Sequence, residues 1–316
     1  MEKKPAVVLT GPTAVGKTNL SIKLAKEIGA DIISADSIQV YKYMDIGSAK
    51  VTEEEMCGVK HHLIDCLDPS DEFNVSVFKD MAVSCANEIY ERGRLPLIVG
   101  GTGFYVQAFL KDVNFEEEPV DDSYRRELEK LASEKGADIL NEMLKKVDSA
   151  SASLIHKNNI KRTIRALEFY KMHGYPISEH NEREKESVSP YNYAYFVLND
   201  KRDILYERIN KRVDIMIEAG LVEEVKKLIE MGYDRSLVSM QGIGYKEICA
   251  YLFDELSLDG AIDLIKKESR HFAKRQLTWF RREKDVIWVN KDEFDYSEEL
   301  ILEFMKETMR QKGIIK

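Results

Sequence analysis

The sequence predicts an α/β protein: a P-loop core with a mainly parallel sheet flanked by helices, plus an inserted all-helical domain. Three observations carry that expectation. Short β-branched runs alternate with stretches of helical periodicity, as when strands are covered by helices. The first run leads directly into a glycine-rich phosphate loop. The middle of the chain, from about 114 to 190, has helical patterning and no convincing strand.

In chain order, residues 6–9 form the first buried strand, followed by a helix over 18–28 and a strand over 32–34. A short strand at 63–64, a helix over 75–92, a strand at 97–99 and a helix over 102–110 continue the alternation. The acidic run Glu116-Glu117-Glu118-Pro119 opens the helical insertion and the polar stretch 181–190 closes it. The expected division is therefore a first core part at 1–113, the insertion at 114–190 and a second core part at 191–316. Strands at 193–198 and 286–289 flank helices over 201–219, 221–231, 245–253 and 258–283, with Gly220 and Gly232 as helix stops. The acidic, amphipathic stretch 297–311 is expected to cover a surface.

Composition narrows the function. The 316 residues are 44% apolar and 33% charged with a net charge of −9, which argues against indiscriminate coating of nucleic acid or anionic membrane. No apolar run approaches the ~18 residues of a membrane span, and the four apolar residues at 6–9 are too few for a signal peptide. Cys57, Cys66, Cys85 and Cys249 show no CxxC spacing, so neither disulfides nor a cysteine zinc site is expected. A monomer in a reducing cytoplasm fits these features.

The most specific signal is GPTAVGKT, residues 11–18, which follows an apolar strand and opens a helix, as a P-loop requires. Gly11, Pro12, Thr13, Ala14, Val15 and Gly16 form a turn whose backbone N–H groups wrap an anion; Lys17 adds a point charge, and the Thr18 hydroxyl has the reach of a magnesium ion. The loop, common to ATP-binding proteins, does not say which polyphosphate is held. Two further strand ends fall on the same sheet edge, where doubly wound folds bind ligands. Asp36 there reads either as a proton acceptor beside the polyphosphate or as a turn cap. Gln39 is either a reader of a base edge or solvated. Thr102, after Gly100 and Gly101, is either an N-cap or a donor to a phosphate or leaving-group oxygen. Asp65, closing the segment HHLID, is either a magnesium ligand or a turn former.

Between Lys266 and Lys284 stand eight basic residues against two acidic ones. Arg270, Lys274 and Arg281 place a basic stripe on one helical face in an acidic chain, interleaved with Trp279 and Phe280, which reads either as a solvated face or as an RNA contact. A second cluster, Lys157, Lys161, Arg162 and Arg165, lies in the insertion, and two separated basic surfaces suggest a clamp.

The segments GPTAVGKT (11–18), ADSIQVYKYMDIGSAK (35–50), HHLIDCLDP (61–69), IVGGTGFYVQAFL (98–110), IKRTIRALEFY (160–170), QGIGYKE (241–247) and AKRQLTWFRR (273–282) together resemble the bacterial tRNA dimethylallyltransferases, also called tRNA isopentenylpyrophosphate transferases. The resemblance covers nearly the whole chain. It implies transfer of a dimethylallyl group from dimethylallyl diphosphate to N6 of the adenosine 3′-adjacent to the anticodon, without ATP consumption. By the same resemblance Asp36 orients and deprotonates the amine, Thr102 contacts the oxygen that leaves with diphosphate, and Lys17 and Thr18 bind diphosphate and Mg2+. Ser37, Ile38 and Gln39 would line the base pocket with Asp36. Arg208 or Arg212 would stand near the diphosphate, a choice the spacing leaves open. The anticodon stem-loop would be met by Lys161, Arg162, Thr163, Ile164 and Arg165 and by Met240, Gln241, Gly242, Ile243, Gly244, Tyr245 and Lys246. The rival from the residues alone is a P-loop small-molecule or nucleoside-phosphate kinase, which has no need of the basic helix.

Overall fold

In the computed structural model, which describes residues 3–113, 122–186 and 188–316, six parallel strands form one sheet in the order β3-β2-β4-β1-β5-β6. The strands are β1 (Lys4–Thr10), β2 (Ala30–Ala35), β3 (His61–His62), β4 (Leu95–Gly100), β5 (Tyr191–Asn199) and β6 (Val286–Asn290). The first core part supplies the helices α1 (Lys17–Ile28), α2 (Glu53–Met56), α3 (Val75–Glu91) and α4 (Gly103–Lys111). The insertion supplies α5 (Asp122–Lys135), α6 (Ala137–Val147), α7 (Ser149–Leu154), α8 (Ile160–His173) and α9 (Ile177–Glu186). The chain then returns through α10 (Arg202–Glu218), α11 (Leu221–Glu230), α12 (Tyr245–Leu252), α13 (Leu258–Phe280) and α14 (Glu298–Gln311).

Parallel strands need crossover connections, so both sheet faces are covered and the central strands are largely apolar. Alternation along each strand divides the core. Val8, Ile33, Ile98, Tyr195 and Val197 face α3, α4, α11 and α12, while Val7, Leu9, Ile32, Leu97, Phe196 and Leu198 face α1 and α14. Helix α14 joins the second face through Ile301, Leu302, Met305 and Met309, and its Ser297 cap accepts from Leu300 N–H. Helix α13 belongs to both clusters, with Ile265 and Phe280 in one and Ala273 in the other.

The short edge strand corrects an expectation: it is His61–His62, paired with Ile32 and Ile33, rather than 63–64. Leu63 and Asp65 both take left-handed φ values, 60° and 57°, so the chain is already turning where apolarity suggested a strand. Helix α2 adds an element that apolar periodicity does not signal; it is a single capped turn in which Thr52 and Glu55 form a capping box.

The chain divides into two compact units, Met1–Asp112 with Pro190–Lys316, and Val113–Ser189. The acidic run 116–119 lies outside the described residues. The helical unit has its own core of Leu128, Leu140, Leu144, Ile164 and Leu167. Its buried Asp148 caps α7 through Ser151 N–H and also accepts from the Ser178 hydroxyl at 2.7 Å, tying α9 to α7. Arg125 binds Glu168 through two bonds of 2.9 Å, joining α5 to α8. Among the described residues no helix is long and apolar enough to cross a membrane.

Candidate active site

The strand order places three loops side by side, because β2, β4 and β1 are consecutive in the sheet. The P-loop leaves β1, with the loops after β4 and then β2 beside it. Gly11 has φ 145°, and a Cβ there would lie 2.3 Å from the Leu198 carbonyl of β5, so the loop can pass only as glycine. Gly16, at φ 97°, turns the chain into α1. Lys17 Nζ folds over the loop and donates to the Gly11 and Pro12 carbonyls at 2.9 and 2.8 Å. Burial, then the nearby Arg212, lower its pKa to about 7, while Asp36 opposes the shift. Burial also lowers the pKa of Arg212, and Asp36 again opposes it. Lys17, Arg212 and Asp36, each half-buried, thus lie close enough to act on one another electrostatically.

Asp36 stands one residue beyond β2. Its Oδ1 accepts from Ile38 N–H at 2.9 Å and Gln39 N–H at 3.3 Å, the geometry of a turn cap. Among the described residues Oδ2 has no hydrogen bond, so the residue caps its loop and still presents a carboxylate oxygen. Next to it, Thr102 N–H donates to the Ala35 carbonyl at 3.3 Å. Thr102 occupies the N-cap position of α4, yet its hydroxyl makes no cap hydrogen bond. Backbones at this junction are in direct contact, since a Cβ on Gly100 would fall 2.2 Å from the Ala35 oxygen.

The loops are held together by Gln276 of α13, which gives no sign of this role among the charges of AKRQLTWFRR. Its buried carboxamide accepts from Thr13 N–H at 2.9 Å and donates to the Gly101 carbonyl at 3.0 Å. A second such residue is Glu224 on α11. It accepts from the N–H groups of Asp45, Ile46 and Gly47 at 3.0, 2.7 and 3.0 Å, and from the Tyr245 hydroxyl at 2.8 Å. Gly47 lies against the Tyr245 ring, where a Cβ would come within 2.6 Å. The Gln39 carboxamide donates to the Ser48 and Ala49 carbonyls, so its NH2 group is spent on this loop rather than open to a base. Ile38 packs on Gly242, which brings the two segments 36–39 and 240–246 together.

Other expected residues sort by exposure. Met240 and Tyr245 are fully buried and Thr163 and Ile164 nearly so, which limits contact with RNA in those segments to their neighbours and main chain. Gln241 is exposed, though its side-chain NH2 donates to the Arg235 carbonyl. Lys246 lies beside Glu247 at 3.5 Å. On α8, Lys161, Arg162 and Arg165 are exposed. Lys274 on α13 and Arg281 just past its end are exposed and line a cavity of about 280 Å3 with Asn199, Asp200, Arg202 and Tyr206. Arg270 departs from the expected stripe: it donates to Asn210 of α10 at 2.5 Å, a helix-packing contact. Asp65 pairs with Lys50 at 2.9 Å and adopts the turn conformation, so it is spent away from the phosphate loop. Arg208 is paired with the fully buried Asp200 at 2.6 Å, whereas Arg212 is the arginine electrostatically coupled to Lys17 and Asp36.

A P-loop on a central parallel strand, with an available carboxylate oxygen and an uncommitted hydroxyl on the next two strand ends, defines a P-loop α/β enzyme that holds a phosphorylated substrate beside a proton acceptor. Residues 39–283 match the family model for IPP transferase, and residues 5–68 match that for isopentenyl transferase. A tRNA dimethylallyltransferase of Lachnoclostridium phytofermentans is 58% identical over 313 residues, covering 99% of this chain and all of that one. Among solved structures, the full-length tRNA isopentenylpyrophosphate transferase of Bacillus halodurans is 46% identical with a TM-score of 0.74, covering 98% of each chain. The enzyme of Staphylococcus epidermidis is 39% identical with a TM-score of 0.71, covering 98% of this chain and 100% of that one. A eukaryotic dimethylallyltransferase acting on tRNA is 28% identical with a TM-score of 0.77, covering 91% of this chain and 74% of that one. The chain belongs to the tRNA dimethylallyltransferase family.

Proposed function

We propose that the protein transfers the dimethylallyl group of dimethylallyl diphosphate to N6 of the adenosine 3′-adjacent to the anticodon of tRNA, giving N6-dimethylallyladenosine and diphosphate. The observation that carries this reading is the adjacency of the P-loop, Asp36 and Thr102 on three neighbouring strand ends, with Oδ2 of Asp36 and the Thr102 hydroxyl without hydrogen bonds among the described residues. An exocyclic amine is a weak nucleophile, so alkylation needs both a stabilised leaving group and an acceptor for the amine proton. Backbone N–H groups of the P-loop, Lys17 and Arg212 supply the first, and Asp36 the second. Thr102 donates to the oxygen through which the diphosphate departs.

Among the described residues no three His, Cys, Asp or Glu side chains form a metal cage. Mg2+ keeps several waters and binds through one or two protein groups plus substrate phosphates, so it needs no such cage. Thr18, exposed on the first turn of α1, would hold it, and the ion would neutralise charge on the departing diphosphate. Exposed cations on α8 and at the end of α13 would bind the tRNA backbone, offsetting the roughly few kcal/mol needed to take the base out of its stack.

The test is stoichiometry. With tRNA, dimethylallyl diphosphate and Mg2+, one diphosphate should appear per prenyl group incorporated, with no requirement for ATP. Release of ADP from added ATP in place of prenyl incorporation would return the kinase reading.

A further inference from the structure

Lys291 stands at the carboxyl end of β6, opening the 3-10 turn Lys291–Phe294. The parallel register pairs Asn290 with Asn199 of β5, and β5 runs beside β1 into the P-loop. This alignment carries the Lys291 ammonium to the start of α1, where a Cβ built on Gly16 would lie 3.5 Å from its Nζ. The position is unfavourable for a cation by itself. The amino end of a helix is electropositive. Burial and the Arg208 guanidinium both disfavour the charged lysine and lower its pKa, with Asp200 and Glu298 opposing.

The nearby carboxylates have other partners. Asp200 accepts from Arg208 at 2.6 Å, from Lys201 N–H at 2.8 Å and from the Tyr296 hydroxyl at 3.3 Å. Glu298 is paired with Lys23. Among the described residues, Lys291 Nζ has neither a hydrogen bond nor an ion pair. A half-buried ammonium without a protein acceptor among the described residues, set against a P-loop glycine, is placed to meet an anion held by the loop.

We infer that Lys291 is a diphosphate ligand contributed from outside the P-loop: its ammonium contacts the phosphate seated over the first turn of α1, approaching from the β6 side. The inference rests on the reading of the P-loop as a diphosphate site. A lysine here adds a charge to the site without touching the base, so it acts on affinity for the prenyl diphosphate and on retention of the diphosphate product, and leaves tRNA binding alone.

The experiment is direct binding of inorganic diphosphate with Mg2+, and of dimethylallyl diphosphate, to the full chain by calorimetry, with tRNA affinity measured in parallel. Lys291→Ala should weaken both diphosphate ligands by roughly tenfold or more, the scale of removing one charge-assisted hydrogen bond, and leave tRNA affinity unchanged. Lys291→Arg, which keeps the charge, should stay within about threefold of the unaltered chain. Equal diphosphate affinity for Lys291→Ala and the unaltered chain would overturn the assignment, as would weakened tRNA binding with diphosphate binding intact. Failure of the unaltered chain to bind diphosphate would instead overturn the functional reading beneath it.

Discussion

At Asp36 the two carboxylate oxygens are in different circumstances, and that separates the two roles open to the residue. Oδ1 accepts from two backbone N–H groups, while Oδ2 has no hydrogen bond among the described residues. Asp36→Asn can keep the carbonyl oxygen on Ile38 and Gln39, so the loop and both substrate affinities should survive. Basicity is lost, and single-turnover transfer at saturating tRNA should fall by ~10²–10⁴. A rate within a few-fold of the unaltered chain would leave Asp36 as a cap only. Lys17 carries a separate prediction. In the free protein its pKa is lowered to about 7 by burial and by Arg212, and bound diphosphate must raise it. Above pH 7 the free lysine is largely neutral, so binding takes up a proton, and diphosphate affinity should decline as pH rises beyond that value. Calorimetry in two buffers of different ionisation enthalpy should show net proton uptake near pH 8, and Lys17→Met should reduce it.

At the scale of elements, the site depends on helices meeting loops far away in sequence. Gln276 clamps the P-loop to the 101–103 loop across the sheet edge. Gln276→Leu keeps the volume but leaves Thr13 N–H and the Gly101 carbonyl unpaired, at about 1–3 kcal/mol. Thermal unfolding should register that destabilisation, and the KM for dimethylallyl diphosphate should rise, because the anion-binding N–H groups are no longer fixed. This element also shows where sequence is informative and where it is not. The P-loop is legible because its spacing and context are local, and Asp36 and Thr102 because they stand one and two residues beyond strand ends. Gln276, Glu224 and Lys291 are invisible to such reading, since each gains meaning only from a partner brought by the fold: Thr13, the 45–47 loop and Gly16. Apolar periodicity likewise locates most strands and helices but misplaces the edge strand. His62 is buried there in spite of its polarity, beside the ion pairs of Asp31 with Arg92 and Arg94 at 3.1 and 2.6 Å. Arg270, which spacing assigns to a basic face, is turned to Asn210 by the packing of α13 on α10.

For the whole molecule, a net charge of −9 and a tRNA substrate are compatible only if cations are concentrated locally. Exposed cations include Lys161, Arg162 and Arg165 on the helical unit, and Lys274 and Arg281 on the core. Neutralising either group should reduce the slope of log affinity against log salt by roughly 0.7–0.9 for each phosphate that is no longer neutralised. Neutralising Arg270 alone should leave that slope unchanged and lower stability, because its hydrogen bond to Asn210 is removed. Coincident slopes for all variants would remove these surfaces from the RNA site. The central claim, that one sheet edge joins a diphosphate to an adenine amine, is tested most directly by nucleoside mass spectrometry. Two anticodon stem-loops are compared, differing only in adenosine or guanosine 3′-adjacent to the anticodon, each incubated with dimethylallyl diphosphate and Mg2+. The account predicts N6-dimethylallyladenosine from the first and an unmodified second; prenylation of both, or of neither, would contradict it.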